Sequence, residues 1–257
     1  MNADLPLARR DQIAARLADG QPVVAATLAR EFGVSEDAIR RDLRALAAEG
    51  RCRRVYGGAL PCTPAFSPVS ARAEQDGPLK QALARAAATL VQPGELIFLD
   101  SGSTPLALVD ALPDEFELTV ATHAIDIAAA VLRRPGMKLV MLGGCVDPVV
   151  GGALDATTAQ GLAQLNIDRC FLGACAVSAS RGLSAQHAAD AAFKRLLLQA
   201  SPHSTVLVTA DKFSARAPHR IAPAEAVQCF VLSPEAPAAE ADALQALGCS
   251  LLRAAAT

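Results

Sequence analysis

The sequence predicts an α/β protein in two unequal parts: a small helical N-terminal module, then a larger domain on a mainly parallel, Rossmann-like sheet. Three observations predict it. From about residue 79 onward, short continuous apolar runs alternate with amphipathic stretches, as strands buried on both faces alternate with covering helices. Residues 1–60 instead carry helical periodicity and close on a short basic run and a Gly-Gly turn. Between the two, Pro61-Cys-Thr-Pro-Ala-Phe-Ser-Pro-Val-Ser70 holds three prolines and little periodicity, a linker by composition. The expected division is a module at 1–60, a linker at 61–73 and a domain at 74–257.

In the module, Ile13 and Leu17 stand four apart and open an apolar stripe that ends near Asp19-Gly20. A second short helix is expected over 24–32, with Leu28 and Phe32 on one face, followed by a tight turn at Gly33-Val34. Ser35 is a good N-cap, and Glu36 and Asp37 fall in the first turn, where the helix dipole favours acids. The third helix runs to about Glu49-Gly50, its apolar stripe being Ile39, Leu43, Leu46 and Ala47. Arg40, Arg41 and Arg44 lie off that stripe and face outward. Arg51-Cys-Arg-Arg-Val-Tyr-Gly-Gly58 then reads as a strand and turn, the wing of a winged helix-turn-helix.

Such a helix pair has the geometry that enters the DNA major groove; the alternatives are a dimer or partner module and an arginine face that is simply solvated. Arginine suits the groove, because its planar fork pairs bidentately with guanine or clamps a phosphate. Charge supports the placement. Residues 40–54 hold six Arg against Asp42 and Glu49, a local net of +4, while the whole chain carries −2. Composition narrows the partner: aromatics are 4% with no Trp, which excludes aromatic stacking platforms for single strands or RNA. Hydrophobic residues at 52% provide a full aliphatic core.

The seven cysteines are scattered without a Cys-x-x-Cys pair, so they read as reduced apolar fillers, with no zinc site and no cofactor. No apolar run reaches about 18 residues, and the first ten carry no apolar signal core; the expectation is a cytoplasmic protein without a membrane partner.

Val34-Ser35-Glu36-Asp37-Ala38-Ile39-Arg40-Arg41-Asp42-Leu43, followed by Gly50, Arg54, Tyr56 and Gly57-Gly58-Ala59, resembles the signature of DeoR-family bacterial transcriptional regulators. The family pattern reads V-S-x-x-T-I-R-R-D-L, then E-x-x-G-x-x-x-R-x-x-G-G-A; Ala38 departs from its usual Thr. The resemblance implies double-stranded operator DNA as partner. Ser35, Asp37, Ala38, Arg40 and Arg41 are then expected at or near the groove, and Arg44, Arg51, Arg53 and Arg54 mainly on phosphates.

In the larger domain, strands are expected at 96–99, 118–121, 138–142, 170–173, 205–209 and 227–232. Helices are expected at 79–91, 104–112, 124–132, 156–165 and 188–200, with a last helix at 237–247 and an edge strand at 250–252. Two junctions carry candidate chemistry. Leu96-Ile-Phe-Leu-Asp100-Ser101-Gly102-Ser103-Thr104 runs a strand into a Ser/Gly loop and a helix start, whose amides and hydroxyls make a phosphate cradle. The alternative is a close-packed turn with Ser103 or Thr104 as cap. Thr209-Ala-Asp211-Lys212-Phe213-Ser214 also follows a strand; Lys212 could neutralise a phosphate and Asp211 could take a hydroxyl, or both could form a surface turn.

Lys80, Asp100–Thr104, Val120-Ala-Thr-His123, Leu142-Gly143-Gly144, Asp168, Phe171, Gly173, Gly182-Leu183, Lys194 and Asp211-Lys212-Phe213 fall in the order of the DeoR-family effector domain. That domain is similar to ribose-5-phosphate isomerase, and the resemblance implies a sensor of phosphorylated sugars or related metabolites. The expected effector-binding set is Asp100, Ser101, Gly102, Ser103, Thr104, His123, Lys194, Asp211 and Lys212. His123 stands for the usual Asn, Ala176 for Gly, Ser233-Pro234 for Thr-Asp, and Asp190 for Glu.

The alternative is a sugar-phosphate isomerase-like enzyme with an appended DNA-binding domain. It is weakened by Gly173-Ala-Cys-Ala-Val-Ser178, which carries no acid for the proton transfer that the reaction needs. The expected protein is a non-catalytic regulator, a repressor by family default, acting as a homo-oligomer, dimer or tetramer.

Overall fold

A computed structural model describes residues 6–18, 21–49, 51–61 and 76–256. The chain divides into two compact units, Met1–Ser67 and Pro68–Thr257. The proline-rich linker read from the sequence lies almost entirely outside the described residues, as do the expected helix ends at Asp19-Gly20 and Gly50.

The first unit contains α1 (Pro6–Ala18), β1 (Val23–Val24), α2 (Ala25–Phe32), α3 (Glu36–Ala48), β2 (Cys52–Val55) and β3 (Gly58–Pro61). Ile13, Leu17, Leu28, Ile39, Leu43 and Leu46 fill its core. α2 stops at Gly33, whose φ of 64° suits a residue without a Cβ. Ser35 caps α3 as expected, its hydroxyl accepting the Ala38 amide.

One expectation needs correcting: Val24 does not open the second helix but pairs with Gly58, as Val23 pairs with Ala59, in the third strand of the wing. Their β-branched side chains favour that backbone. Gly58 allows the approach, since a Cβ there would sit 2.1 Å from the Val23 carbonyl oxygen.

The second unit is a three-layer α/β domain. After α4 (Gly77–Ala88) come β4 (Leu96–Leu99), α5 (Ser103–Ala111), β5 (Thr119–Thr122), α6 (Ile125–Val131) and β6 (Lys138–Met141). A small hairpin, β7 (Val146–Asp147) and β8 (Gly152–Ala153), precedes α7 (Ala156–Leu162) and β9 (Arg169–Leu172). Then follow β10 (Ala176–Ser178), β11 (Gly182–Ala185), α8 (Ala188–Ala200), β12 (His203–Val208), α9 (Asp211–Ser214), β13 (His219–Ala222), β14 (Cys229–Leu232), α10 (Ala238–Ala246) and β15 (Ser250–Arg253).

Seven strands form one sheet in the order β15-β14-β12-β9-β4-β5-β6, and every pairing is parallel. Alternate residues feed two cores. Phe98, Cys170, Leu172, Val206, Val208 and Phe230 face α7, α8 and α10. Ile97, Leu99, Val120, Phe171, Leu207 and Val231 face α4, α5 and α6. Burial on both faces explains why these strands read as continuous apolar runs.

The expected strand at 227–232 is shorter, because Ala224–Ala226 makes a 3-10 turn before Cys229. A second, antiparallel sheet, β10-β11-β13, was not expected from the sequence; its strands are three or four residues long and show no clean alternation.

Candidate functional site

The order of the parallel sheet locates the first site. From β4 the chain winds outward through β5 and β6, then returns to lay β9 on the other side of β4. β4 and β9 therefore flank the topological switch point, where diverging connections leave a crevice at the carboxyl ends of the strands.

Asp100, Ser101 and Gly102 occupy that point, directly after β4. The Asp100 amide donates to the Phe171 carbonyl at 3.0 Å, and the Gly173 amide donates to Asp100 Oδ2 at 3.1 Å. Gly102 precedes α5 with φ of 152°, and no side chain caps the helix. Pro105 in its first turn has no N–H to satisfy. The positive end of α5 and the loop amides are thus presented at the switch point.

Beneath the loop lies a buried polar cluster. Asp100 and His123 are fully buried, and Lys194 is 2% exposed. Lys194 Nζ lies 2.5 Å from Asp100 Oδ2 and 2.8 Å from Asp190 Oδ1. His123 Nδ1 is 2.7 Å from the Ala153 carbonyl oxygen, which can only accept, so Nδ1 carries a proton. Nε2 faces both the Ser101 amide at 3.3 Å and Asp100 Oδ1 at 3.2 Å. A neutral ring accepts from the amide; a protonated ring donates to the carboxylate.

Burial alone would push the Asp100 carboxyl up, but the Lys194 ammonium and the His123 contact outweigh it and hold it below the usual carboxylate range. Burial would likewise push Lys194 down, and Asp100 and Asp190 together hold it above the usual lysine range. Both groups are charged at neutral pH.

The structure brings Asp100, Ser101, Gly102, Ser103, Thr104, His123 and Lys194 to one place. Lys212 and Asp211 follow β12, beyond β9, and pair with each other at 2.9 Å. Thr209 also donates to Asp211.

The second site is the outer face of α3. Arg40, Arg41 and Arg44 are exposed there, Ser35 and Asp37 stand exposed at its start, and Ala38 is half-buried. Arg40 is drawn along the helix by Glu36 at 2.7 Å and Asp37 at 3.3 Å. Asp42 points inward instead and holds Arg9 Nε at 2.7 Å, with side chains 6% and 8% exposed. In the wing, Arg51 and Arg54 are exposed and Tyr56 projects fully from the tip. Arg53 is placed in β2 by its backbone, and its side chain lies outside the description.

Comparison with protein families decides the identity. Residues 9–65 match the DeoR-like helix-turn-helix domain, and residues 76–233 match the DeoR C terminal sensor domain. The chain belongs to the DeoR family. Its function is therefore that of a DNA-binding transcriptional regulator with a sensor domain, and the isomerase alternative is set aside.

Similar relatives include the putative aga operon transcriptional repressor of Escherichia coli O157:H7, 29% identical over 95% of this chain and 92% of its own. The glycerol-3-phosphate regulon repressor of Escherichia coli K12 is 28% identical over 74% and 76%. Among solved structures, the full-length sorbitol operon regulator SorC of Klebsiella pneumoniae aligns over 91% and 97% at 13% identity, with a TM-score of 0.41. Ribose-5-phosphate isomerase of Methanocaldococcus jannaschii aligns over 54% and 55% at 17% identity, with a TM-score of 0.39. Both likenesses are distant.

In this DeoR-family regulator the departures from the family pattern fall at telling places. His123 sits inside the buried cluster, and Asp190 reaches Lys194 from one helical turn away. Ala176 opens β10. Ser233 is buried at the end of β14, where its hydroxyl finds no partner among the described residues.

Sequence reasoning missed Asp155. It caps α7 through Thr158 and also accepts the Cys145 amide at 2.8 Å, fastening the loop after β6. Cys145 and Thr158 amides hold its carboxyl below the usual range. An Asp directly before a helical stretch, a favoured N-cap type, was the available signal.

Proposed function

We propose that this DeoR-family regulator is a cytoplasmic, homo-oligomeric repressor whose operator binding is controlled by a phosphorylated sugar or related phosphate ester. The uncapped start of α5 at the topological switch point carries this reading. The phosphoryl group settles on Ser101, Gly102, Ser103 and Thr104, with Lys212 closing on it from the end of β12 while Asp211, its ion-pair partner, takes a hydroxyl of the ester. Asp100, His123 and Lys194 form the floor of the site, which responds when an anion above competes with Asp100 for the lysine. Two relatives, the putative aga operon repressor and the glycerol-3-phosphate regulon repressor, support the repressor role, and the second supports the phosphate-ester class. A coupling of about 1–3 kcal/mol shifts operator affinity about 5–150-fold.

A thermal-shift screen of the full chain against sugar phosphates and glycerol phosphates tests it. At least one ester raises the sensor transition and releases operator DNA in a gel shift. Gly102→Val abolishes both effects, because its Cβ would meet Pro105 at 3.2 Å in a backbone conformation that valine resists. Lys212→Ala weakens the effector response and leaves DNA binding intact. Responses retained in both variants place the effector elsewhere.

On the DNA side, Ser35, Asp37, Ala38, Arg40 and Arg41 face the groove, while Arg44, Arg51, Arg53 and Arg54 meet phosphates. Arg41→Ala costs about 1–3 kcal/mol of specific binding and relaxes operator choice. Arg54→Gln weakens all sequences alike and lowers the salt slope by about 0.9. Unchanged footprints and slopes remove these residues from the interface.

A further inference from the structure

A cleft of about 360 Å³ lies on the small sheet, and nothing in the switch-point site lines it. Its walls include Ser178 of β10, Ser180 and Arg181 of the following turn, Ser184 of β11, Arg216 beyond α9 and Arg220 of β13. Among the described residues, no Asp or Glu lines it. All three arginines are exposed, and none makes an ion pair among the described residues. Three like charges around one small cleft repel one another unless an anion lies between them. The concentration is notable because residues 61–257 hold 18 Asp/Glu against 14 Lys/Arg, a net of −4.

The cleft is built rather than incidental. Gly182 has φ of 75°, and a Cβ there would lie 2.1 Å from the Ala222 carbonyl oxygen, so the β10–β11 turn is seated tightly on β13. The strand carrying Arg220 is tied by Arg195, which donates to the Arg220 carbonyl at 2.5 Å. The Arg216 segment is tied by Gln186, which donates to the Arg216 carbonyl at 3.2 Å. Ser178 Oγ and Ser180 Oγ lie 3.1 Å apart, a hydroxyl pair in which one proton is free to turn outward.

We propose that this cleft is a second anion site, taking a small polyanion with two or more phosphoryl groups, separate from the effector loop after β4. Guanidinium forks match phosphoryl oxygens bidentately, and the serine hydroxyls supply the neutral donors that orient them. The volume suits a small metabolite at the lower end of ligand pockets, about 300–1,000 Å³.

Calorimetric titration of the full chain with inorganic pyrophosphate at constant ionic strength tests the site. Arg181→Gln/Arg220→Gln loses one binding component by at least tenfold, and Gly102→Val keeps it. Folding is not at stake, since both side chains are exposed. Loss in the arginine variant with wild-type behaviour in Gly102→Val upholds this site even if the effector loop proves empty. The proposal is overturned if the wild type binds no pyrophosphate at millimolar concentration, or if the arginine variant titrates like the wild type. It is equally overturned if that variant changes sedimentation mass with anion binding unchanged, which makes the cleft a contact between copies.

Discussion

Replacing Asp42 by alanine unfolds the N-terminal module and leaves the sensor domain's transition in place. The variant strands the Arg9 guanidinium, which Asp42 holds at 2.7 Å where the side chains are only 8% and 6% exposed. Breaking a buried pair from one side costs about 3–5 kcal/mol, because the surviving charge keeps its desolvation penalty without its partner. A module of about sixty residues has little stability to lose. Urea unfolding followed by hydrogen exchange should show early loss of protection in α1 and α3, and operator binding should vanish with it. Arg9→Met/Asp42→Leu removes both charges and should restore most of the protection. Protection in Asp42→Ala equal to the wild type would mean that the pair contributes nothing to the module.

The second large effect is Lys194→Met. It removes the cation that sits between Asp100 and Asp190, leaving two buried carboxylates beside each other. The sensor transition should fall by about 3–5 kcal/mol at neutral pH. The pH dependence gives the sharper test.

In the wild type the Asp100 carboxyl stands below its ordinary value, so its contribution is present above about pH 4 and is lost as pH falls through the lower, folded value. Lys194 stands above its ordinary value, so its contribution is present below about pH 10 and is lost as pH rises through the folded value. From pH 5 to 8 these two groups add no slope.

Without the lysine, burial acts on Asp100 with less opposition and raises its carboxyl. The folded variant then binds the extra proton, so its stability rises as pH falls from 8 to 5. Melting curves at pH 5, 6, 7 and 8 settle the matter: a variant as flat as the wild type would show that Lys194 does not govern the cluster.

Much of this was legible in order of residues. The sequence alone bounds the helix Ala188–Ala200 and marks the Ser35 cap, because caps and apolar stripes are local signals. The wing's third strand, β1, was not legible. Val23 and Val24 acquire their conformation from Gly58 and Ala59, more than thirty residues away, and a helical pattern runs straight past them. The β10-β11-β13 sheet was missed for the same reason: strands this short carry too few residues for a period, and their pairing partners are distant.

The site shows the same division. Asp100, His123 and Lys194 could be singled out one by one, but nothing in the chain order said that they touch. Lys194 lies 94 positions from Asp100, and only the return of β9 to the side of β4 brings α8 over the loop. Arg181, Arg216 and Arg220 carry no sequence signal, since arginines are common in this chain and no motif joins them.

By itself the sequence determined that the chain has a basic helix-turn-helix module and a doubly covered parallel sheet, because periodicity, caps and charge clusters act within a few residues. The tertiary structure alone decided which strands flank the switch point and which carboxylate each buried cation meets. It also decided that three arginines distant in sequence share a cleft. Those are consequences of strand order, which no local pattern encodes.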